Sequence, residues 1–460
     1  MPRKAVFIAL VLLALFLRSA FVFAQQSKPL TDRVYKTGVL EKIAVLLESR
    51  YVLSDKAKGY ADEFRAKCAS GIYESLTEAT AFAEKISGDL IAITGDKHLN
   101  FRVMTPSAIG EKAQGSLHHP VRFFRLRADE NVGFFKLAWI EPRIGYLDLR
   151  RFYAFGDAKN MALAAMKFLA NARAIIVDVR ENGGGSGDYL SSYFLPFPTQ
   201  LSGSFSRQDG SLTEIWTRRD IGMEPRIEVP LFILTGPKTF SAAEYFAYDM
   251  QTRKRATLVG EPTKGGAHSV DLFPIDDRFE FIVSTARAVS PVTGGNWEGT
   301  GVVPDIAAPV AEALDAAVAE AKKAAEAFGR AEDARLKKAV EAMQVQADDA
   351  ARLYRQNRKE AAEAALDSLI TTAEKAGVMS EFFMQTFAYN FQSPNDERML
   401  LAILEKAVAL FPDSADAFDI LASVHDSKGN KELALRYFQK ALALDPGRRQ
   451  AIKRINALQK

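Results

Sequence analysis

The chain has 460 residues, 48% apolar and 25% charged, which is the balance of a globular protein with room for about three domains of roughly 150 residues. Its formal charge of +3 gives no electrostatic case for a nucleic-acid partner, and a single cysteine, Cys68, excludes a disulfide framework within the chain.

Residues 1–24 read as a secretory signal. Arg3 and Lys4 precede an apolar run from Ala5 to Leu17, and Val22-Phe23-Ala24 places small residues at the −3 and −1 positions of a cut before Gln25. An uncleaved anchor is the alternative, but the run is shorter than the roughly 20 residues that span a bilayer. Losing Arg3, Lys4 and Arg18 would take the charge from +3 to 0. No second run reaches membrane length. The expectation is an exported protein, periplasmic or extracellular and not integral to a membrane once cut.

Residues 25–118 form a small helical domain by pattern. Val39–Tyr51 carries Leu40, Ile43, Ala44 and Leu47 at helical spacing, and Asp62–Leu76 and Thr80–Thr94 continue it. After Gly95 the period changes to alternation through Leu99, Phe101 and Val103, so His98 sits at a helix-to-strand junction. Such junctions carry site residues, although a lone histidine there is more often structural.

Residues 119–310 read as an α/β core. Val121–Leu126, Asn131–Ala138 and Gly145–Leu149 predict strands, Met161–Ala172 a helix, and Ala174–Val179 a buried strand. That strand runs into Arg180-Glu181-Asn182-Gly183-Gly184-Gly185. Glycines there let backbone amides approach a ligand closely, yet the spacing of a nucleotide-binding loop is absent. Alternating segments over Leu201–Arg218 follow. Leu231–Leu234 is then a short buried strand, 235–239 is turn chemistry, and Ser241–Thr252 is helical. A serine at a helix start can be an N-cap, with Glu244 completing the box Ser-x-x-Glu. It can also be a nucleophile beside free amides and the positive end of the helix dipole. Ala256–Glu261 predicts another strand, Arg278–Ile282 and Ala286–Ser290 two more, and Pro304-Asp305 the end of the core.

From Ala311 the composition shifts to Ala, Glu and Lys, which predicts a solvent-laced helical linker over 311–345. Residues 346–460 read as helical repeats. Counting Ala415 as position 1 puts Phe418, Leu421, Ala422, Ala434, Phe438, Ala441 and Pro446 at positions 4, 7, 8, 20, 24, 27 and 32, a pattern that resembles the tetratricopeptide repeat. A second unit from Glu381 departs from it at Leu400. The implied role is a partner-binding surface or scaffold.

Four motifs in order carry a wider resemblance. Asp178-Val-Arg180-x-Asn182-x-Gly184-Gly185, Thr239-Phe-Ser241-Ala242-Ala-Glu244, Val259-Gly260-Glu-Pro-Thr-x-Gly-Gly266-Ala-His268 and Asn296-Trp-Glu298-Gly-x-Gly-Val-x-Pro-Asp305 resemble the serine peptidases of the tail-specific, tricorn and interphotoreceptor retinoid-binding group. The resemblance covers about residues 30–310 and implies a crotonase-like ββα core. It places the nucleophile at Ser241 and oxyanion amides at Ala242 and Gly184. Tail-specific members use a lysine base, which counted from Gly260 falls at Gly266 here. Residues 104–140 are also too few for the PDZ domain of that branch. The tricorn and retinoid-binding-like branch is the better match, with His98 as base and Glu298 as the acid of a Ser-His-Glu site. His268 is the rival base or a lining residue of the substrate cleft. Asp178, Arg180 and Asn182 are expected to hold the oxyanion loop in shape. Where tricorn-type members have a serine before the histidine, this chain has Lys97. No residue cluster has metal spacing and no loop has nucleotide spacing, so neither metal nor cofactor is expected. The implied activity is hydrolysis of peptides or protein tails, with a protein partner on the repeats. The alternative is a carrier of apolar ligands or a scaffold on the same fold.

Overall fold

The structure is a computed structural model that describes residues 29–104 and 118–459; the segment read as a signal lies outside them. The chain divides into two units, the first ending at Phe328 and the second starting at Gly329.

The first unit opens with three amphipathic helices, α1 (Arg33–Arg50), α2 (Ser54–Ala69) and α3 (Ala79–Thr94). They bury Leu40, Ile43, Leu47, Phe64, Phe82, Ile86 and Leu90, residues three and four apart along one stripe of each helix. Gly95, at φ 76°, ends α3 in the left-handed conformation that glycine adopts without a Cβ clash, which releases Asp96–His98 into a loop before β1 (Asn100–Val103).

Residues His118–Asp129 form helix α4, where Val121–Leu126 is expected to be a strand. Pro120 falls in the first turn, where no intrahelical N–H bond is required, and Arg125–Ala128 are good helix formers. Then follow β2 (Phe134–Glu141), β3 (Ile144–Leu149), α5 (Phe155–Phe168), β4 (Ala174–Asp178), β5 (Gln200–Ser206), β6 (Leu212–Trp216), β7 (Leu231–Thr235), α6 (Ala242–Thr252), β8 (Thr257–Gly260), β9 (His268–Pro274), β10 (Phe279–Val289) and β11 (Ile306–Ala307). The two segments expected at 278–282 and 286–290 are one strand, β10. A register shift between Ser284 and Ala286 interrupts its alternation without breaking its pairing to β9.

Two sheets result. One has the order β11-β8-β7-β4-β3-β2, parallel throughout except for the β2–β3 hairpin. In the other, antiparallel sheet, β10 pairs with β1, β5 and β9, and β6 lies beyond β5. The strands β3, β4 and β7 are buried along their whole length, as continuous apolar runs with both faces covered must be. The antiparallel sheet shares its core with the first three helices, through Phe101, Phe279, Phe281 and Val283.

Helix α7 (Ala313–Arg355) opens on four alanines at intervals of four, Ala313, Ala317, Ala321 and Ala325. This stripe packs on Ile144, Tyr146, Ile176 and Phe232 of the parallel sheet, so only the other face of these turns meets solvent. The second unit is all helix: α8 (Lys359–Lys375), α9 (Glu381–Tyr389), α10 (Glu397–Leu410), α11 (Ala415–Ser427), α12 (Lys431–Leu444) and α13 (Arg449–Leu458). Of the seven side chains picked out by repeat spacing, Phe418, Leu421, Ala422, Ala434, Phe438 and Ala441 are buried on helices α11 and α12, and Pro446, beyond α12, is exposed. No helix among the described residues is long and apolar enough to cross a membrane.

Candidate active site

Neighbouring parallel strands end at the same edge of a sheet. The pairs β4–β7 and β7–β8 therefore bring three loops together: the glycine run after β4, the turn to Ser241 after β7, and the 261–267 loop after β8. This carboxyl edge is where open parallel sheets hold their ligands.

Ser241 has φ 55° and ψ −118°, a conformation an L-residue adopts only where its surroundings impose it, and it stands immediately before α6. The imposing contacts are identifiable. Phe240 N–H donates to Asn182 O at 3.0 Å, and Asn182 Nδ2 donates to Leu149 O at 2.8 Å. Gly184, at φ 99°, lies so close to the turn that a Cβ on it would be 2.8 Å from both Phe240 O and Ser241 Cβ. Asp178 anchors the base of the glycine run. Its carboxylate accepts from Arg180 N–H and guanidinium and from Tyr146 Oη at 2.7 Å.

The amides sort themselves. Gly184 N–H donates to Asn182 Oδ1 at 2.9 Å, so in this conformation Gly184 shapes the turn and its amide is occupied. The N–H groups of Ala242 and Gly185 have no acceptor among the described residues. Ala242 N also carries the positive end of the α6 dipole.

Glu244 does more than the helix cap that sequence spacing suggests. Fully buried, it accepts from Ser241 N–H at 2.8 Å, Gly265 N–H at 2.6 Å, Gly266 N–H at 2.9 Å and the Thr263 hydroxyl. One carboxylate thus ties the serine turn to the 263–266 loop. Burial pushes its carboxyl above the usual range, and these donors oppose the shift. The same loop is gripped from the other side. Trp297 Nε1 donates to Gly266 O at 2.8 Å, and Ala267 N–H donates to Glu298 Oε2 at 2.5 Å.

His98 stacks on the Phe240 ring, 4.4 Å between centroids and 30° from parallel, so it adjoins the residue next to Ser241. Its ring is buried and neither nitrogen has a hydrogen-bond partner among the described residues. Burial pushes its pKa down to about 4, with Asp96 opposing and His268 and Lys264 assisting, so the imidazole is neutral at neutral pH. Gly266 explains how the ring fits. A Cβ on Gly266 would overlap the Phe240 ring and lie 2.5 Å from His98 Cε1. The histidine therefore fills the space where a side chain at position 266, such as the lysine of the tail-specific branch, would begin. Gly266→Ala should displace His98 and lower turnover about 100-fold, the cost of a misplacement of about 1 Å, as steady-state kinetics would read.

The third expected member, Glu298, does not contact His98. Its Oε2 lies 3.7 Å from His268 Nδ1, and its Oε1 is buried without a partner. Burial drives its carboxyl up to about 7, with the His268 charge opposing and Asp96 assisting. Because the folded-state pKa is raised, the stability tied to this group is present at low pH and is lost as pH rises from about 4.5 through 7. Glu298→Gln should therefore raise unfolding stability at pH 8 by on the order of 2 kcal/mol and leave it unchanged at pH 4, measured by denaturant titration at both pH values.

His268, the first residue of β9, is buried against Asp96, with Nδ1 2.7 Å from Asp96 Oδ2. Asp96 also accepts the His98 N–H at 2.8 Å through Oδ1, which lies 3.8 Å from His98 Nδ1. Burial alone would raise the Asp96 carboxyl, but His268 and the other donors outweigh it and hold it below the usual range. Asp96, His268 and Glu298 bring three metal-ligand-type atoms within 4.8 Å of one another. The 2.7 Å approach of Nδ1 to Oδ2 is a hydrogen bond; two donors bonded to one zinc at about 2.1 Å each would stand about 3.4 Å apart.

The model of peptidase family S41 matches residues 143–308, which hold the parallel sheet, the glycine run, Ser241 and Glu298. The model of the N-terminal domain of peptidase S41 in eukaryotic IRBP matches residues 28–128, which hold His98. The chain carries a domain of peptidase family S41. The chain is 29% identical over 169 residues to carboxyl-terminal-processing peptidase 2, chloroplastic, of Arabidopsis thaliana, covering 36% of this chain and 32% of that protein. It is 31% identical over 166 residues to a carboxyl-terminal-processing protease of Synechocystis, covering 35% and 37%. The match therefore spans about a third of the length of these curated relatives. Among solved structures, the photosystem II D1 C-terminal processing protease aligns with a TM-score of 0.30 at 24% identity, covering 36% of this chain and 42% of that one. The tricorn protease aligns with a TM-score of 0.37 at 12% identity, covering 66% and 38%.

Proposed function

We propose that this protein is an exported serine peptidase that hydrolyses peptide bonds of peptides or protein tails, with Ser241 as nucleophile and His98 as base. The observation that carries the reading is the pairing of two unused features at one turn. Ser241 is held at positive φ against Gly184, with the adjoining Ala242 amide free of an acceptor among the described residues, and a buried, neutral histidine with both nitrogens free stacks on the preceding residue.

In this mechanism His98 takes the Ser241 hydroxyl proton as Oγ adds to the scissile carbonyl, since a serine hydroxyl is a weak nucleophile without a base. No hydrogen bond joins the two residues in the unliganded chain, because His98 Nε2 is unpartnered. Such bonds commonly tighten only when substrate binds. The oxyanion receives hydrogen bonds from Ala242 N–H and from the free amide of the glycine run, Gly185 N–H. His98 then returns its proton to the leaving amine, and water repeats the cycle on the acyl-enzyme. Glu298 supports the site through the Ala267 amide and His268. A groove of about 470 Å³, lined by Phe135, Arg150, Arg151 and the glycine run, lies alongside and offers a path for the polypeptide. The helical repeats of the second unit would present a protein substrate or partner.

The test is covalent. A fluorophosphonate probe should label the full chain, and peptide mapping by mass spectrometry should place the adduct on Ser241. An adduct elsewhere, or none while a control serine peptidase reacts, would overturn the assignment.

A further inference from the structure

We propose that Asp96 and His268 form a buried positioning pair for His98, in which Asp96 holds and charges the base and His268 moderates that charge. The inference rests on the assignment of His98 as base and adds two residues to it.

Asp96 stands between two imidazoles. Through Oδ1 it accepts the His98 N–H at 2.8 Å and approaches the His98 ring nitrogen at 3.8 Å; through Oδ2 it holds His268 Nδ1 at 2.7 Å. Both Asp96 and His268 are almost entirely buried. An ionised carboxylate so deep needs compensating partners, and each oxygen has one. The sequence offers no hint of this, since the partners are 172 residues apart. The fold makes it: β1 and β9 both pair with β10, so the loop before β1 meets the start of β9.

Charged and titratable groups among the described residues surround the pair. Tyr51, at the end of α1, packs its ring edge-on to His268 at 6.1 Å and brings its hydroxyl beside Asp96. Glu298, from the closing loop, lies 3.7 Å from His268 Nδ1. Lys264, over the Phe240 ring, is the cation that acts on His98 from the 261–267 loop. Lys97 turns away and donates to Lys264 O, and Glu244 is taken up by its own four donors. Asp96 is thus the carboxylate placed to stabilise an imidazolium on His98. A rotation that closes the 3.8 Å gap would let Nδ1–H donate to Oδ1 while Nε2 turns to Ser241. His268 competes for the same carboxylate and so limits how basic His98 becomes.

The charges give opposite signs to two variants. Asp96→Asn removes the negative charge and should lower the proton affinity of His98. His268→Gln keeps a donor for Oδ2 but removes the competing imidazole and should raise it. The experiment uses the full chain and two readouts. Proton–carbon NMR titration of the five histidines, with His98 assigned by its loss in His98→Ala, follows the base directly. The pH dependence of the fluorophosphonate labelling rate follows its chemistry. The expected result is that the His98 midpoint and the acid limb of labelling both move down in Asp96→Asn and both move up in His268→Gln. Labelling at pH 7 should fall at least tenfold in Asp96→Asn. Should Asp96→Asn fail to fold, Asp96→Glu keeps the charge and should slow labelling while leaving the limb within a few tenths of a pH unit of wild type. Coincident limbs in all variants, or shifts of the same sign, would overturn the pair. If wild type shows no Ser241-dependent labelling, the peptidase assignment itself falls, a separate outcome.

Discussion

Ser241→Ala should abolish cleavage of an unfolded protein substrate, a loss of at least about 10⁴-fold in kcat, with an unchanged far-ultraviolet circular dichroism spectrum. The substitution is structurally mild. The strained φ of 55° is imposed by Gly184, Asn182 and Glu244, which act on backbone and Cβ, and alanine keeps both. Only Oγ is lost, and with it the atom that forms the acyl-enzyme. His98→Ala should cost about 10²–10⁴-fold, the usual worth of a positioned general base. Activity in His98→Ala equal to wild type would instead transfer the role to His268. The signs of the two pH shifts expected above would then lose their foundation as well.

Glu244→Ala should be the most damaging single change to the stability of this site. It deletes one buried acceptor and leaves four donors, the amides of Ser241, Gly265 and Gly266 and the hydroxyl of Thr263, with nothing to bond. Hydrogen bonds to a charged acceptor are worth about 1.5–3 kcal/mol each but are not additive in one cluster, so a loss of about 3–5 kcal/mol is expected. Urea unfolding of the full chain would read it as a lower midpoint for the unit that holds the site. Glu244→Gln should recover little, because its amide group directs two N–H donors at backbone N–H groups. Any folded Glu244 variant should still turn over about 100-fold more slowly, since the serine turn and the loop under His98 would no longer share a tether. A folded variant with wild-type kcat would show that the tether is dispensable.

Much of the serine side of the site was legible from residue order. A strand, a turn, a serine at a helix start and a preceding glycine run imply an elbow, and parallel strand pairing makes that elbow meet the glycines. The histidine side was legible only as candidates. His98 and His268 looked like rivals because spacing cannot show that both address one carboxylate, Asp96, which carried no signal of its own. Glu244 was hidden for the opposite reason. Its bond to the Ser241 amide is the one a helix cap predicts, and the remaining three donors come from a loop about twenty residues on. Glu298 was placed by motif, but its neighbour is His268, which no one-dimensional pattern could have chosen. In the fold, the stretch 121–126 misled because its apolar residues, Val121, Phe123, Phe124 and Leu126, do not alternate strictly and run into helix-forming residues.

Gly266 sets a rule of mutual exclusion. The volume beside Phe240 holds either a side chain growing from position 266 or an imidazole arriving from position 98, and both only if one of the two rings shifts. Two ways of activating one serine are therefore alternatives at a single locus, although the residues that supply them lie 168 positions apart in the chain. The slot also sets the behaviour of a double variant: a lysine introduced at position 266 meets the Phe240 ring as well as the imidazole, so it needs both the removal of His98 and a turn of the Phe240 ring.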